Sequence, residues 1–309
     1  MFKFVLRRLG IAVITMWVII TVTFFMMHSI PGNPFAKEGR MPQNVYEALQ
    51  AKYGLDKPLS EQYVIYLKNV IQGDLGASMK SKTETVNDMI RRGAPVSAIM
   101  GLQAFVFALI IGPALGSIAA LYQNKIPDYI TMIIAIIGIS VPSFIFATLL
   151  IQFVAKPIDF FPIGGWGTWR HTILPSLALA LMPMAASARM MRSSMLEVLG
   201  QDYIRTARSK GLGKMRVIMN HAVRNAILPI VSQMGTTLSG LLTGSFVIEK
   251  IFGIPGLGSF FITSITNRDY TLIMGTTIFY SLILIIMLLI VDVLYVMVDP
   301  RIKLTGGES

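Results

Sequence analysis

Few residues in this chain have the types and spacing that catalysis requires. The 309 residues include three histidines and no cysteine, which excludes thiolate metal sites and disulfides and leaves no plausible histidine cluster. Neither HExxH nor GxSxG occurs, and GLGKM from Gly211 to Met215 lacks the spacing and the hydroxyl of a phosphate loop. We therefore predict that this chain is not an enzyme, binds no metal or cofactor itself, and leaves any ATP hydrolysis to another polypeptide.

The largest group of basic residues lies between Arg189 and Arg224. Apolar residues recur there at helical spacing, which predicts one short helix over Asp202 to Lys210 and a second that begins at Lys214. Gly211, with Gly213 close behind it, interrupts the two helices and can supply the positive φ of a tight corner. A bent helix pair with an apolar face and a basic face is suited to contact a partner. The alternative is an amphipathic helix lying on anionic lipid.

A second unusual segment reads IEKIFGIPGLG from Ile248 to Gly258. An apolar stretch broken by an acidic-basic pair and then by a Gly-Ile-Pro-Gly turn cannot continue as a helix in lipid, where an unpaired backbone group has no partner. We predict a re-entrant gate near the outer face, and an ordinary external loop is the alternative. The residues assigned to this candidate gate are Glu249, Phe252, Gly253, Pro255, Gly256 and Gly258.

The elements that position these segments are apolar. Hydrophobic residues make up 54% of the chain, charged residues only 14%, and the mean hydropathy is +0.64. Ordinary soluble proteins have about 25% charged residues, so a soluble enzyme, a disordered chain and a nucleic-acid binder are set aside. Six charge-free intervals are each long enough to cross a hydrocarbon layer about 30 Å thick. We predict an all-α polytopic membrane protein with six transmembrane helices, over 9–36, 93–124, 129–155, 171–188, 225–248 and 270–291.

Proline and glycine interrupt several of these intervals. Proline removes a backbone hydrogen bond that lipid cannot replace, so such helices must face neighbours or water. The pattern indicates a bent bundle that lines a cavity, although both residues are also common in membrane helices generally. Gly235, Ser239 and Thr243 share one face and predict close helix contact. The prolines concerned are Pro113, Pro142, Pro175, Pro183 and Pro229.

Positive charge is distributed unevenly between the two sides of the predicted bundle. With the amino terminus in the cytoplasm, fourteen Lys and Arg residues lie inside and four lie in the short loops outside. Positive residues near span ends resist translocation, so both termini are predicted to be cytoplasmic, in the cell membrane. The first apolar stretch resembles a signal peptide, but it is long and has no small-x-small site before Pro31, which indicates a retained span.

This topology divides the chain into four parts. Residues 1–30 form the cytoplasmic start and the first span, 31–93 an extracytoplasmic helical subdomain, 94–298 the remaining spans, and 299–309 a cytoplasmic tail. In the subdomain we predict helices that begin at Pro42, Ser60 and Thr83. The third, with Val86, Met89 and Ile90, would lie against the membrane surface. Three such helices suggest a docking platform, and a solvated spacer is the alternative.

The basic segment carries a resemblance to a known family. DYIRTARSKG from Asp202 to Gly211, followed by HAVRNAILP from His221 to Pro229, resembles the coupling-loop signature of the membrane subunits of ABC importers. In particular it resembles the B-type permease subunit of oligopeptide and dipeptide importers. Aligned on Gly211, this chain matches the general signature, EAA followed by Gly and Ile-x-Leu-Pro, at Ala207 and Gly211 only. The departures at Arg205 and Arg224 resemble the peptide-importer branch.

Other segments along nearly the whole chain resemble the same family. They are HSIPGNPF over 28–35, YGLDKPLSEQY over 53–63, IEKIFGIPGLG over 248–258, TNRDY over 266–270 and VDPRIKL over 298–304. The resemblance implies a type I importer permease fold with a coupling segment over 192–224. The residues it assigns to coupling with the ATPases are Asp202, Tyr203, Arg205, Thr206, Ala207, Lys210, Gly211, Gly213, Met215, Arg216 and His221.

The resemblance also implies partners and a substrate. The partners are a second, C-type permease subunit, two cytoplasmic ATPases that use ATP and Mg, and an extracytoplasmic peptide-binding protein, all in membrane lipid and without nucleic acid. The substrate would be oligopeptides, with dipeptides, nickel or glutathione as alternatives. A stand-alone secondary transporter and a membrane scaffold that transports nothing remain as rival classes.

Overall fold

A computed structural model describes residues 2–30, 42–81, 83–242 and 246–298, with side chains described from Leu6 to Val291 within those ranges. The predicted tail, 299–309, lies outside the described residues. Those described are mostly helical, and the single β-bridge among them joins Ala77 and Thr85. The α-helices, in chain order, are α1 Phe2–Ser29, α2 Gln43–Tyr53, α3 Leu59–Ile71, α4 Val86–Leu121, α5 Ile126–Ser140, α6 Ser143–Leu150, α7 Arg170–Leu199, α8 Asp202–Ser209, α9 Lys214–Val217, α10 Arg224–Ala226, α11 Leu228–Leu242, α12 Phe246–Ile251, α13 Leu257–Asn267 and α14 Tyr270–Val298.

The all-α prediction is confirmed, whereas the count of six spans is not. In the described residues α1, α4, α7 and α14 are each long and apolar enough to cross a membrane. Helices α5 and α6, with the π-helical Ile151–Ala155, make a fifth span if counted together, but they bend by 113° just before Pro142. The remaining predicted span corresponds to α11, which has 15 residues and is followed by the undescribed 243–245.

Helices α4 and α7 pack against each other at the centre of the bundle. Each contains two prolines, at Pro95 and Pro113 in α4 and at Pro175 and Pro183 in α7. Their backbones approach closely because α4 carries glycine at the contact. A Cβ added to Gly112 would lie 2.6 Å from the carbonyl oxygen of Met184, and one added to Gly116 would overlap that of Ala188. Small residues permit the close approach on which helix association in a membrane depends.

The small-residue face of α11 makes the predicted close contact at two of its three positions. Gly235 lies against the side chain of Val291 on α14, and Ser239 is buried. Thr243, the third predicted residue, lies outside the described part of the chain. Helix α11 is therefore held between α4, α7 and α14.

The segment after α1 contains two separate helices instead of the predicted three. Helix α3 begins directly after Pro58, which is its N-cap residue, so the prediction of a cap at Ser60 was wrong. The fixed φ of proline, −56° here, suits the residue at which a chain enters a helix. The third predicted helix is the first part of α4, which runs on through Pro95. Its cap is Thr85, which exchanges hydrogen bonds with Asp88 in a capping box, and not Thr83.

The side chains at the start of α4 also contact different partners from those predicted. Val86, Met89 and Ile90 were expected at the membrane surface, but they are buried against Leu257 and Leu272. The apolar side of the first turns of α4 is thus covered by α13 and α14. The predicted division between residues 93 and 94 falls inside this continuous helix.

A buried carboxylate joins the connection before α4 to the start of α14. Asp269 accepts hydrogen bonds from the hydroxyl of Ser78, from the amide of Met79 at 3.1 Å and from the amide of Leu272 at 3.1 Å. Tyr53 at the end of α2 donates to the carbonyl oxygen of Ser78 at 2.8 Å. The small helices are therefore tied to the same end of the bundle at which α4 and α14 begin.

Candidate functional site

The predicted helix pair is present, and only one of its two glycines needs to be glycine. Helix α8 ends at Ser209, and α9 begins at Lys214. Gly211 has φ +79°, and the amide of Leu212 donates to the carbonyl oxygen of Ala207 at 3.3 Å, as in a Schellman helix end. Gly213 has φ −59°, which any residue can adopt. The corner of the coupling segment therefore depends on Gly211, and the prediction of a paired-glycine corner holds for that residue alone.

The inner face of the coupling segment is a packed apolar cluster. Ile204 and Ala207 of α8 are buried together with Met191 and Met195 of α7 and with residues of α11. Leu212, directly after the corner, packs on the same cluster. Its members are Ala120, Met191, Met195, Ile204, Ala207, Val217, Ile218, Ala222, Ala226, Ile230 and Met234. The coupling segment is therefore packed on α7 and α11 through one apolar cluster.

The outer face of the same segment combines exposed apolar and basic side chains. Met215 is 70% exposed, Met219 54% and Tyr203 42%. Around them are exposed cations, of which one makes a weak contact, Arg205 to Asp202 at 3.5 Å. The exposed basic residues are Arg205, Arg208, Lys210, Lys214 and Arg216.

The remaining predicted coupling residues divide between the two faces. Asp202, Thr206 and Gly213 are exposed, Ala207 is buried in the cluster, and His221 is half-buried. His221 belongs to a π-helical turn, Ile218–Val223, which joins α9 to α10. Tyr203 is fixed by a hydrogen bond that its hydroxyl accepts from Asn225 at 2.8 Å, so the two ends of the bent segment are joined.

A bidentate ion pair lies beside this segment. Arg192, on the last turns of α7, donates from Nε and Nη2 to the two carboxylate oxygens of Asp128 at 2.5 and 2.7 Å. Asp128 belongs to the first turn of α5 and is buried. The predicted coupling range began at Arg192, but its partner was not identified, since nothing local in the sequence relates residues this far apart.

The predicted break after residue 248 is also present. Helix α12 ends at Ile251, and the chain turns at Gly253, which has φ +61°, before α13 begins at Leu257. The amide of Ile254 donates to the carbonyl oxygen of Glu249 at 2.8 Å, which closes the end of α12 in the same way as the corner of the coupling segment. Helix α12 packs on α6 and α7, and α13 packs on α4 and α14, so both helices of this hairpin lie against the bundle.

Glu249 connects the hairpin to the centre of the bundle. Its side chain is fully buried and accepts hydrogen bonds from the Ser97 hydroxyl at 2.7 Å and from the Ser259 amide at 3.1 Å. Ser97 Oγ in turn accepts from the amide of Leu257 at 3.0 Å. One carboxylate and one hydroxyl thus join α4, α12 and α13.

The other candidate gate residues lie in the turn after α12 and in the first residues of α13. A Cβ on Gly256 would overlap the Glu249 carboxylate, and one on Gly258 would lie 2.7 Å from Phe246 Cα. Phe252 is buried, and its carbonyl oxygen accepts a hydrogen bond from the Gly165 amide at 2.7 Å. Gly253 and Pro255 are exposed at the tip of the hairpin. Of the gate candidates, Gly256 and Gly258 therefore lie against the Glu249 carboxylate, and the other three lie along the turn after α12.

Sequence reasoning missed the partners of these residues. Ser97 and Asp128 were not identified, although each completes a contact with a predicted residue. The signal available was polar character inside an apolar stretch: Ser97 lies within a charge-free interval, and Asp128 is the acid that separates two of them. Ionisable groups inside such a bundle are costly, so each requires a partner.

Together the apolar helices, the buried hairpin and the exposed helix pair define a multi-pass membrane protein. Residues 112–304 match the family described as binding-protein-dependent transport system inner membrane component, and residues 1–100 match the N-terminal family of the same membrane components. The chain belongs to this family of transport permeases.

Full-length relatives support the assignment. The dipeptide transport system permease protein DppB of Bacillus subtilis is 51% identical over 98% of this chain and 99% of its own length. The oligopeptide transport system permease proteins OppB of Salmonella typhimurium and Escherichia coli are 46% and 45% identical over 98% of this chain and 100% of theirs. A solved structure of the MetNI methionine ABC transporter, inward facing, aligns with a TM-score of 0.49 and 20% identity over 66% of this chain and 95% of that chain.

Proposed function

We propose that this chain is a transmembrane permease subunit of an ATP-driven importer that moves oligopeptides across the cytoplasmic membrane. The observation that carries the proposal is the coupling segment, whose apolar and basic outer face is exposed while its inner face is packed on α7 and α11. Such a segment can receive force from outside the bundle and pass it to the spans. The names of the full-length relatives support peptides as the substrate class.

The proposed mechanism begins at the corner of Gly211. ATPase closure pushes on α8 and α9, and the apolar cluster carries the displacement to α7 and α11 as a rigid body. The bundle then pivots, and the hairpin around Glu249 opens or closes the outer side of a central path. Alternating access follows from one rigid-body movement, so this chain needs no catalytic group of its own.

The proposed partners fit the same mechanism. Two cytoplasmic ATPases bind and hydrolyse ATP with Mg at the coupling face, a second permease subunit completes the path, and an extracytoplasmic binding protein delivers peptide to the side with α2 and α3. The excess of Lys and Arg on one side supports cytoplasmic termini. We assign residues 31–93 to the extracytoplasmic subdomain, 94–298 to the transmembrane domain and 299–309 to a cytoplasmic tail.

Reconstitution tests the proposed function. The chain, co-expressed with the other subunits of its transporter, is placed in liposomes with the binding protein outside and ATP inside. We expect uptake of a labelled oligopeptide that requires ATP and is unaffected by dissipating ion gradients. Uptake by the single chain under an ion gradient would instead indicate a secondary transporter. Dipeptide, nickel and glutathione are offered as competing substrates in the same assay.

The exposed side chain of Met215 leads to a prediction about ATPase binding. Met215→Ser removes an apolar side chain that we place in the interface, where burial is worth about 1.5–3 kcal/mol, so the dissociation constant for purified ATPase should rise about tenfold or more. Arg205→Ala removes an exposed charge worth about 0 to 1 kcal/mol and should raise it less than about fivefold. A larger effect of the arginine would contradict apolar docking.

A further inference from the structure

Arg192 and Asp128 form a bidentate ion pair in which both carboxylate oxygens are bound. Arg192 presents Nε and Nη2 as a fork to both carboxylate oxygens, at 2.5 and 2.7 Å. The Asp128 side chain is 3% exposed and that of Arg192 25%, so water competes little for the contact. A planar guanidinium fixes direction as well as distance when it binds a carboxylate in this way. The pair therefore sets the angle between α5 and α7, in addition to bringing opposite charges together.

Asp128 is also bonded to the turn before its own helix. Its Oδ2 accepts a hydrogen bond from the amide of Asn124 at 2.9 Å, and Asn124 adopts φ +58°, which asparagine tolerates better than most residues. A carboxylate in the first turn of a helix is further favoured by the helix dipole. Arg192 is thus connected through one carboxylate to the start of α5 and to the turn that joins α4 to α5.

Arg192 is connected to the coupling segment through its helix, α7. Its neighbours on α7, Met191 and Met195, are fully buried in the cluster that contains Ile204 and Ala207 of α8. Helix α7 runs unbroken to Leu199, three residues before α8 begins. Any displacement of α8 that moves the end of α7 must therefore also move the guanidinium of Arg192.

Helix α5 touches α7 at a second point near its other end. A Cβ on Gly138 would lie 2.9 Å from Cβ of Ala185 and 3.3 Å from Cδ1 of Leu181, both on α7. Thr131 and Ala135, between the two ends of α5, are buried as well, so one face of α5 packs along the bundle. The fork at Asp128 adds a polar, directional contact at the start of α5 to this apolar packing. Beyond Val141 the chain bends by 113° into α6, so the break separates α5 from α6.

We propose that Arg192 and Asp128 are a positioning pair that makes α5 move with the coupling segment. The inference rests on the proposed function, because it names a third moving helix besides α7 and α11. Without the fork, apolar packing alone holds the start of α5, and part of the displacement of α7 is lost before it reaches the transport path. Because removing one partner of a buried ion pair destabilises a protein, the variants below either keep the charge of Arg192 or replace both partners together.

Transport per ATP hydrolysed tests the pair in the intact reconstituted complex. Arg192→Lys keeps the charge but loses the fork, and the double variant Asp128→Asn with Arg192→Gln removes both charges together. For both we expect normal membrane levels, normal ATPase binding and about a tenfold lower ratio of peptide imported to ATP hydrolysed. Arg189→Ala, which removes an exposed arginine one turn away, is the matched control and should leave the ratio unchanged.

A distance measurement separates coupling from a merely structural role. The chain contains no cysteine, so spin labels at Ile126→Cys and Ser209→Cys, both exposed, report the separation of α5 and α8. In the otherwise unchanged complex the separation should stay the same with and without nonhydrolysable nucleotide. With Arg192→Lys it should change or broaden when nucleotide is added. If the double variant fails to assemble, Arg192→Lys is the variant on which both measurements are judged.

The outcomes for the two proposals are distinguishable. ATP-driven uptake by the unmodified complex, with an unchanged transport ratio and an unchanged label separation in Arg192→Lys, overturns the positioning pair and leaves the proposed function intact. A lower ratio together with a nucleotide-dependent separation supports the pair. Absence of ATP-driven uptake in the unmodified complex overturns the proposed function itself, before any variant is considered.

Discussion

We expect Gly211→Val to abolish ATP-driven peptide uptake and to leave membrane insertion intact. The reason is backbone conformation, because Gly211 has φ +79° and a Cβ there would meet no atom within 4 Å. A residue with a Cβ pays about 1–2 kcal/mol in this region, and a β-branched one more, so the corner relaxes to negative φ and redirects α9. We expect uptake below about a tenth of the unmodified value, measured in proteoliposomes at equal permease content.

Gly213→Val is the matched control for this prediction. Gly213 is two residues away, is equally unobstructed, and has φ −59°, so the same added side chain should cost little uptake. Gly211→Asn should retain more uptake than Gly211→Val, because asparagine tolerates the left-handed region better. Equal losses at both glycines would mean that side-chain bulk at the ATPase surface, and not the corner, decides the outcome.

The second large effect is expected from Glu249→Ala. This change leaves the Ser259 amide without its acceptor, removes the partner of the Ser97 hydroxyl, and opens a cavity beside Gly256. Each buried polar group left unsatisfied costs about 1–3 kcal/mol, so the hairpin should lose its fixed position on α4. We expect uptake below about a tenth, together with faster labelling of a cysteine placed at the buried Leu257.

Two further variants show whether the loss of uptake is specific to the Glu249 side chain. Lys250→Ala changes an exposed neighbour on the same short helix and should leave uptake and labelling unchanged. Glu249→Gln keeps an acceptor for the Ser259 amide and should be milder than Glu249→Ala. In the otherwise unmodified chain, labelling of the Leu257 cysteine should also change when nonhydrolysable nucleotide is added to the complex. If it does not, the hairpin is a passive loop and the gate assignment fails.

The local features of the candidate site were predictable from the sequence. Helical spacing of apolar residues identified α8 and α9, and glycine at 211 identified the corner, because a positive φ is a local requirement of the backbone. The same reasoning identified the break after α12, since Gly253 and Pro255 are local signals too. Helix type and interruption thus depend on short stretches of sequence.

Helix starts and long-range partners were less predictable. The sequence predicts helix starts at Ser60 and Thr83. In the structure, one helix begins at Leu59, directly after Pro58, and the other begins at Val86, after the Thr85–Asp88 capping box. Several polar residues near a helix start can cap it, and the choice depends on what the first turn packs against.

The contact of Ser97 with Glu249 spans 152 positions, and that of Asp128 with Arg192 spans 64. No periodicity within a window of a few turns relates residues that far apart. Their pairing results from the packing of α4, α5, α7 and α12, which a single sequence does not specify.

The π-helical turn at Ile218–Val223 affects how the coupling segment would respond to the loss of one residue. Such a turn holds one residue more than an ordinary helical turn, without rotating the chain beyond it out of phase. Deleting one residue there would convert it to an α-turn and keep Val217 and Ala226 facing the apolar cluster, whereas a deletion elsewhere in a helix rotates the remaining turns by about 100°. A change of one residue in the length of this segment can therefore leave its packing on the apolar cluster unchanged.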